Sequence, residues 1–337
     1  MKFRLSAFSF LVLSLMVIWL FVQSVVHSLQ LGFGPLALVK GVVLLLLVHR
    51  LRLEWVSIRK TKEELLDKPL LGPEGAGQFL AVVLGTLGAF VLSHQFGLGA
   101  VLAAATVGIT ASLVFPKLQV PAYCGAFVGM ACNAVFFTTF HILLAGVLGG
   151  VLFVLGSSVL NGFGGKLGTV AFFGTVGASV LTVSPLHEGT VLGVDMVLLV
   201  AVCAVLGAVL THIMTARGGF APVFASGFMG VLGGVMLPYL FVETGGVLAV
   251  VFFCVSFAGM TALNRLPGEK AIALAGLCTA LFFVYSFPLF AGSGGKLGTI
   301  AFGSTIAVAG AVDVKDRVWA WLRDSREESR QPEREAA

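Results

Sequence analysis

The stretch NGFGGKLGTVAFFGT at residues 161–175 recurs as AGSGGKLGTIAFGST at residues 291–305, displaced by 130 positions. Followed upstream without a gap, the same displacement sets YCGAFVGM (123–130) on FCVSFAGM (253–260) and ILLAG (142–146) on IALAG (272–276). About 20 identities in roughly 53 positions, including the hexapeptide GGKLGT, mark an internal duplication. A shared preference for leucine, valine and glycine does not put a lysine at the same place twice.

Both copies lie in apolar surroundings. Of the 337 residues 58% are hydrophobic and 11% charged, and the mean hydropathy is +1.03. A soluble domain carries about 25% charged residues. Of the 37 charged side chains, 24 fall within 50–74 and 313–337, which leaves ten between Gly77 and Val312. These facts exclude a soluble enzyme, a disordered chain and a nucleic-acid binder. The net charge of +5 gathers near segment ends, the pattern of membrane boundaries. The five cysteines sit in apolar runs without metal-ligand spacing and read as small buried residues. Lys2 and Arg4 precede an apolar run reaching about Val26, too long for a signal peptide and without a small-residue cleavage site, so it reads as a retained first helix.

A membrane-crossing helix needs about 20 mostly apolar residues. Twelve candidates fit: 6–27, 31–49, 77–95, 97–116, 119–137, 140–161, 165–184, 193–214, 220–240, 244–263, 270–290 and 295–313. The third to fifth and the ninth are closely spaced, and half-helices or re-entrant segments are compatible with them. With the N-terminus inside, Arg50 to Lys68, Lys117, Lys166, Arg217, Arg265 with Lys270 and the tail all fall in cytoplasmic loops. The opposite loops, around His94, Thr138, Glu188 and Glu243, hold no Lys or Arg, and Lys296 is the one exception. Five helices separate equivalent points of the duplication. An odd number reverses the direction of the second copy, which is what the exception at Lys296 requires.

The fold expected is therefore an all-α integral membrane protein with about 12 transmembrane helices, made of two five-helix inverted repeats plus a two-helix N-terminal extension. Residues 1–49 form the extension, 50–76 a cytoplasmic amphipathic loop, 77–184 repeat 1, 193–313 the inverted repeat 2, and 314–337 a cytoplasmic tail. The tail is expected to begin as a short amphipathic helix bearing Trp319 and Trp321 and then to become polar and disordered. The first two helices of each repeat align poorly, GLGAVLAAA at 97 against GFMGVLGGV at 227 being the best match at this displacement.

Paired glycines let the backbone leave helical geometry and approach a ligand closely. The helix that follows would present free N–H groups at the positive end of its dipole, beside a lysine. Gly164, Gly165, Lys166, Gly168 and Thr169, with Gly294, Gly295, Lys296, Gly298 and Thr299, are thus candidates for holding a small anion or carboxylate. The competing reading gives each lysine to the membrane interface and each glycine pair to a tight turn. Phe127, Met130, Phe257 and Met260 sit among small residues, spaced for helix packing or for lining a pore. Lys40, Asp195, Glu243, His94, His141, His212, Asn133, Asn161 and Asn264 are the remaining polar groups near or within apolar segments. No catalytic set, metal cluster or Walker motif appears.

In architecture the chain resembles transporters with five-plus-five inverted repeats, and its GG turns are similar to the glycine-rich re-entrant motifs of some carboxylate transporters. The lysine in the hexapeptide departs from those motifs. The expectation is a secondary transporter or facilitator for a small polar, anionic solute, working by alternating access. A channel of the same symmetry is the alternative, ahead of a membrane-embedded enzyme or a complex subunit. A small-molecule solute and the lipid bilayer are the expected partners, with no nucleic acid. A homo-oligomer is compatible, no cofactor is implied, and H+ or Na+ can serve as coupling ion.

Overall fold

The computed structural model describes residues 2–60, 72–133, 135–136, 138–186, 188–189, 192–193 and 195–335. Among these residues the chain forms twelve helices and no strand: α1 (Lys2–Gln30), α2 (Gly34–Lys60), α3 (Pro73–His94), α4 (Gly99–Val114), α5 (Gln119–Gly129), α6 (Thr139–Leu155), α7 (Lys166–Leu181), α8 (Met196–Ala216), α9 (Pro222–Leu240), α10 (Gly245–Gly259), α11 (Gly268–Ser286) and α12 (Lys296–Glu335). Six of them (α1, α3, α8, α9, α11 and α12) are long and apolar enough to cross a membrane, consistent with a helical membrane protein. Helices α4, α6, α7 and α10 are apolar but shorter.

The helix starts follow local chemistry. Pro73 and Pro222 open α3 and α9, where the missing N–H is no loss. Left-handed glycines, Gly165 at φ 83° and Gly295 at φ 82°, precede α7 and α12. Two expected spans, 119–137 and 244–263, are corrected: α5 stops at Gly129 and α10 at Gly259. Eleven residues reach only about 16 Å, half of a hydrocarbon core. Both helices tighten into a final turn of the same kind, Ala131 N–H donating to Val128 O and Thr261 N–H to Ala258 O, each at 3.1 Å.

The tail is a second correction. α12 continues as one 40-residue helix to Glu335 instead of giving way to coil after a short segment. No glycine follows Gly310, and the tail is rich in Arg and Glu, both good helix formers. Trp319 and Trp321 are exposed on it. Of the loop expected at 50–76, the part through Lys60 continues α2, and residues 61–71 lie outside the described residues.

Helices α3–α7 and α8–α12 make the same set of pairwise packings. Helix α3 lies on α4, α5 and α6 as α8 lies on α9, α10 and α11, and α7 seats against α5 and α6 as α12 does against α10 and α11. The groups meet where α4 packs on α9 and α7 on α12. Side-chain-free glycines mark equivalent contacts. Gly85 abuts the Ala122 carbonyl as Gly207 abuts that of Phe252, and Gly129 abuts α3 as Gly259 abuts α8. The ring of Tyr123 lies on Gly108 as that of Phe253 lies on Gly230.

These contacts replace the match of residue 97 with 227. Gly85 corresponds to Gly207 and Gly108 to Gly230, a displacement of 122, whereas later helices keep 130. The eight additional residues divide between the end of α9 and the start of α10, and the α4–α5 and α9–α10 loops keep the same length. Outside this duplicated body, α1 packs against α6, α7, α11 and α12, and α2 against α1 and α12.

Candidate functional site

The two GGKLGT segments meet at the centre. A methyl group on Gly168 would collide with the Gly298 backbone, one on Gly298 with Gly168, one on Gly165 with the Gly298 carbonyl, and one on Gly295 with the Gly168 carbonyl. The starts of α7 and α12 therefore cross backbone to backbone, and only glycine fits. Gly164 lies against the Phe257 carbonyl at the end of α10, and Gly294 against those of Phe127 and Val128 at the end of α5. We expect Gly168→Ala to lower stability by about 1–3 kcal/mol, because backbone cannot yield as a side chain can. A Cβ on Gly88 meets only a Val107 methyl at 3.7 Å, so Gly88→Ala is the control. Thermal midpoints in detergent should fall for the first substitution and hold or rise for the second.

The loops before the two helices share one backbone course. Leu160 and Phe290 have φ of 54° and 53°, and Gly162 and Gly292 have 85° and 84°. A left-handed non-glycine residue costs about 1–2 kcal/mol, so this shape is held by its surroundings. The holding bonds are reciprocal. Ala262 N–H donates to Gly162 O at 2.8 Å and Cys132 N–H to Gly292 O at 2.9 Å. Thr305 Oγ1 donates to Gly164 O at 3.3 Å and Thr175 Oγ1 to Gly294 O at 2.9 Å. The Gly164 N–H donates to Thr261 Oγ1 at 3.0 Å. Thus Thr175 and Thr305 spend their hydroxyls on the fold. Thr299 Oγ1 bonds back to Gly295 O at 3.2 Å, while the buried Thr169 hydroxyl has no hydrogen-bond partner among the described residues.

The lysines differ in exposure and agree in the company they keep. Lys166 Nζ donates to Gly156 O and to Asn161 Oδ1, both at 2.7 Å. Lys296, buried, donates to Phe287 O at 2.9 Å and Leu289 O at 2.8 Å. All four acceptors are neutral. Among the described residues the ion pairs engage Arg50, Arg217 and Arg265, and no lysine. An ammonium has three protons, so each lysine in that form keeps one to offer, with no carboxylate partner among the described residues.

A cavity of about 400 Å3 opens on the Lys166 side. Lys117 and Lys166 line it with Gln78, Ser157 and Asn161, and no carboxylate does among the described residues. Gly164 and Gly165 form part of its wall, and Phe127, Phe257 and Met260 lie at its depth. There Phe127 and Phe257, from the ends of α5 and α10, stand 4.7 Å apart, flanked by Tyr123 and Phe253. All four rings are buried. Tyr123 hydroxyl joins Ser226 at 3.0 Å, which in turn joins Ser256 at 2.8 Å. Met130, at the end of α5, is half-buried against the same core.

The equivalent region beside Lys296 is apolar. Phe287 stands where Ser157 does, Ala291 where Asn161 does, and Val200 where Gln78 does. Trp19 of α1 packs behind loop 290–295, 4.5 Å from Phe290 and 6.2 Å from Phe172. One side is an open, basic vestibule; the other carries apolar side chains at the matching positions.

The structure thus brings all ten GGKLGT candidates to one crossing, with the glycines chiefly packing and a lysine at the start of each helix. Lys40 is elsewhere, fully buried, donating to Ser24 O, Ser24 Oγ and Ser28 Oγ at 2.8–3.1 Å beneath the Tyr285 ring. His94, at the end of α3, bonds to Ala131 O just past α5, and His141 bonds locally to Thr138 Oγ1. The expectation of five buried cysteines fails at Cys132, which is exposed; Cys124 and Cys254 are buried and donate to the equivalent carbonyls of Leu167 and Leu297. Gln78, Ser157, Tyr123 and Phe253 were not singled out from the sequence. Tyr123 and Phe253 carried a usable signal, since they head the aligned octapeptides. Comparison of the chain with family models, with curated proteins and with solved structures finds no match.

Proposed function

We propose that the chain is an integral membrane transporter, a secondary transporter or facilitator, that moves a small anionic solute by alternating access between α3–α7 and α8–α12. In this reading residues 77–184 and 193–313 are inverted repeats related by a two-fold axis in the membrane plane. Residues 1–49 and 50–76 add a helical pair and its cytoplasmic extension, and both termini are cytoplasmic. The observation that carries the reading is the basic vestibule ending on the paired rings of Phe127 and Phe257. An unpaired ammonium inside a membrane protein is costly, and an anion arriving from water offsets that cost. The reciprocal bonds between the loops support the two-fold relation, because such reciprocity is what a two-fold axis produces. The short helices α5 and α10 and the unwound loops match the broken helices that build midplane sites in transporters.

Flux in proteoliposomes, with anions, amino acids and neutral solutes and with proton or sodium gradients imposed, tests the proposal. Anion uptake above that of protein-free vesicles is expected. No flux from any solute, in inserted protein, sinks the transport reading. Orientation has its own test. Single cysteines at 166 and 296 should label from opposite sides of the membrane, and labelling of both from one side removes the inverted repeat.

A further inference from the structure

The two equivalent loops are held differently from behind. At loop 160–165, Arg265 Nε donates to Asn161 O at 2.9 Å, and its guanidinium lies 4.7 Å from the Phe163 ring centre. The same guanidinium meets Glu54 Oε1 of α2 at 2.7 Å. Arg50 reaches that carboxylate oxygen at 2.7 Å, holds Asp313 of α12 at 2.6 Å, and lies 5.8 Å from the Phe163 ring. Asn161 passes the link into the vestibule, since its Oδ1 accepts from Lys166 Nζ. At loop 290–295 none of these groups recurs. Ala291 replaces Asn161, Ser293 replaces Phe163, and Val135 replaces Arg265, its methyl resting at Gly292.

We propose that Glu54 is a positioning residue of the transport site: through Arg265 and Asn161 it sets loop 160–165 and Lys166 in the vestibule-open arrangement, so that the unduplicated helices α1 and α2 bias the exchange between the two halves. The loop-to-loop bonds of Ala262 with Gly162 and of Cys132 with Gly292 are equal on the two sides and favour neither state. Only the Lys166 side adds a tie to α2. A contact present in one state and absent from its counterpart shifts the population by its own free energy. Glu54 is buried against two guanidinium groups, and loss of a buried charge partner is among the larger single-residue effects.

The inference rests on reading the vestibule as the solute's inner access route, yet its test needs no solute. In a Cys132→Ser background, Ser157→Cys reports vestibule opening by its rate of labelling with a membrane-impermeant maleimide in inside-out vesicles. Adding Glu54→Gln should slow that labelling by about tenfold or more, the size of a modest population shift. Arg265→Lys keeps a charge facing Glu54 but loses the fork that reaches Asn161, so it should slow labelling too and serves if Glu54→Gln fails to fold. A merely structural role would loosen the loop and speed the reaction. Labelling at or above the parent rate in either folded variant overturns the proposal while leaving wild-type flux intact. Absent wild-type flux overturns the transport reading while leaving the labelling contrast standing.

Discussion

Replacing Lys166 by Met should lower the affinity for anionic solutes by roughly ten- to a hundredfold, the range expected when one charge-assisted hydrogen bond of about 1.5–3 kcal/mol is removed. Met preserves the length and apolar stem of the side chain, so the change isolates the ammonium. Lys166 faces the vestibule through one free proton, its other two being held by Gly156 O and Asn161 Oδ1. Its loss should therefore appear mainly in KM for entry from that side. Lys296→Met should act differently. Lys296 is buried under Phe287 and caps two carbonyls, and leaving those carbonyls unsatisfied costs about 1–3 kcal/mol each. It should lower both thermal stability and the maximal rate, since Lys296 is buried on the side away from the vestibule and a solute meets it only after the two halves have exchanged. Initial-rate anion uptake, with the side of addition controlled, separates the two effects. Unchanged KM and maximal rate in both variants would return the lysines to a purely structural role.

How much of this was legible beforehand divides along lines of range. The 130-residue displacement, the glycine turns and the lysine pair were readable because a repeated hexapeptide survives any uncertainty about segment ends. The left-handed Gly165 and Gly295 follow directly from that pattern. The correct partner of Gly85 was not readable. Its helix shares little beyond VLG at 83–85 and 205–207 with its counterpart, and eight residues added around the α9–α10 junction shift the match to 122. The ends of α5 and α10 were hidden for another reason. Apolar residues continue past Met130, so hydropathy runs on where the helix stops. The backbone turns there because Cys132 and Ala262 spend their N–H groups on the other half's loop, a tertiary bond with no local sequence signature. The meeting of Glu54 with Arg265 spans 211 residues and joins two segments that the duplication does not relate. Asymmetry of this kind is visible in sequence only once the repeat has been aligned and the unmatched Asn161, Phe163 and Arg265 stand out against Ala291, Ser293 and Val135.

The aromatic layer carries the second large effect. Replacing Phe127 and Phe257 together by Ala should convert gated transport into a leak of small anions down their gradient. These rings are 4.7 Å apart, 2% and 1% exposed, and lie at the inner end of the vestibule. They occupy equivalent places in the two halves, so under the proposed function they form the closure between the Lys166 side and the Lys296 side. Each truncation should cost about 3–5 kcal/mol in packing. The pair should cost less than the sum, because the rings touch and the second loss enlarges a void already made. A stability change alone would lower the amount of folded protein and with it the flux. A leak instead raises flux per folded molecule, so the two outcomes move in opposite directions. Chloride efflux from preloaded proteoliposomes, normalised to the folded fraction measured by size exclusion, reads the difference. Phe127→Leu with Phe257→Leu keeps apolar volume at the layer and should restore tightness. Efflux no faster than wild type in a folded double-alanine variant would mean that another layer, such as Trp19 on Phe290, closes the path, and the paired phenylalanines would then be packing alone.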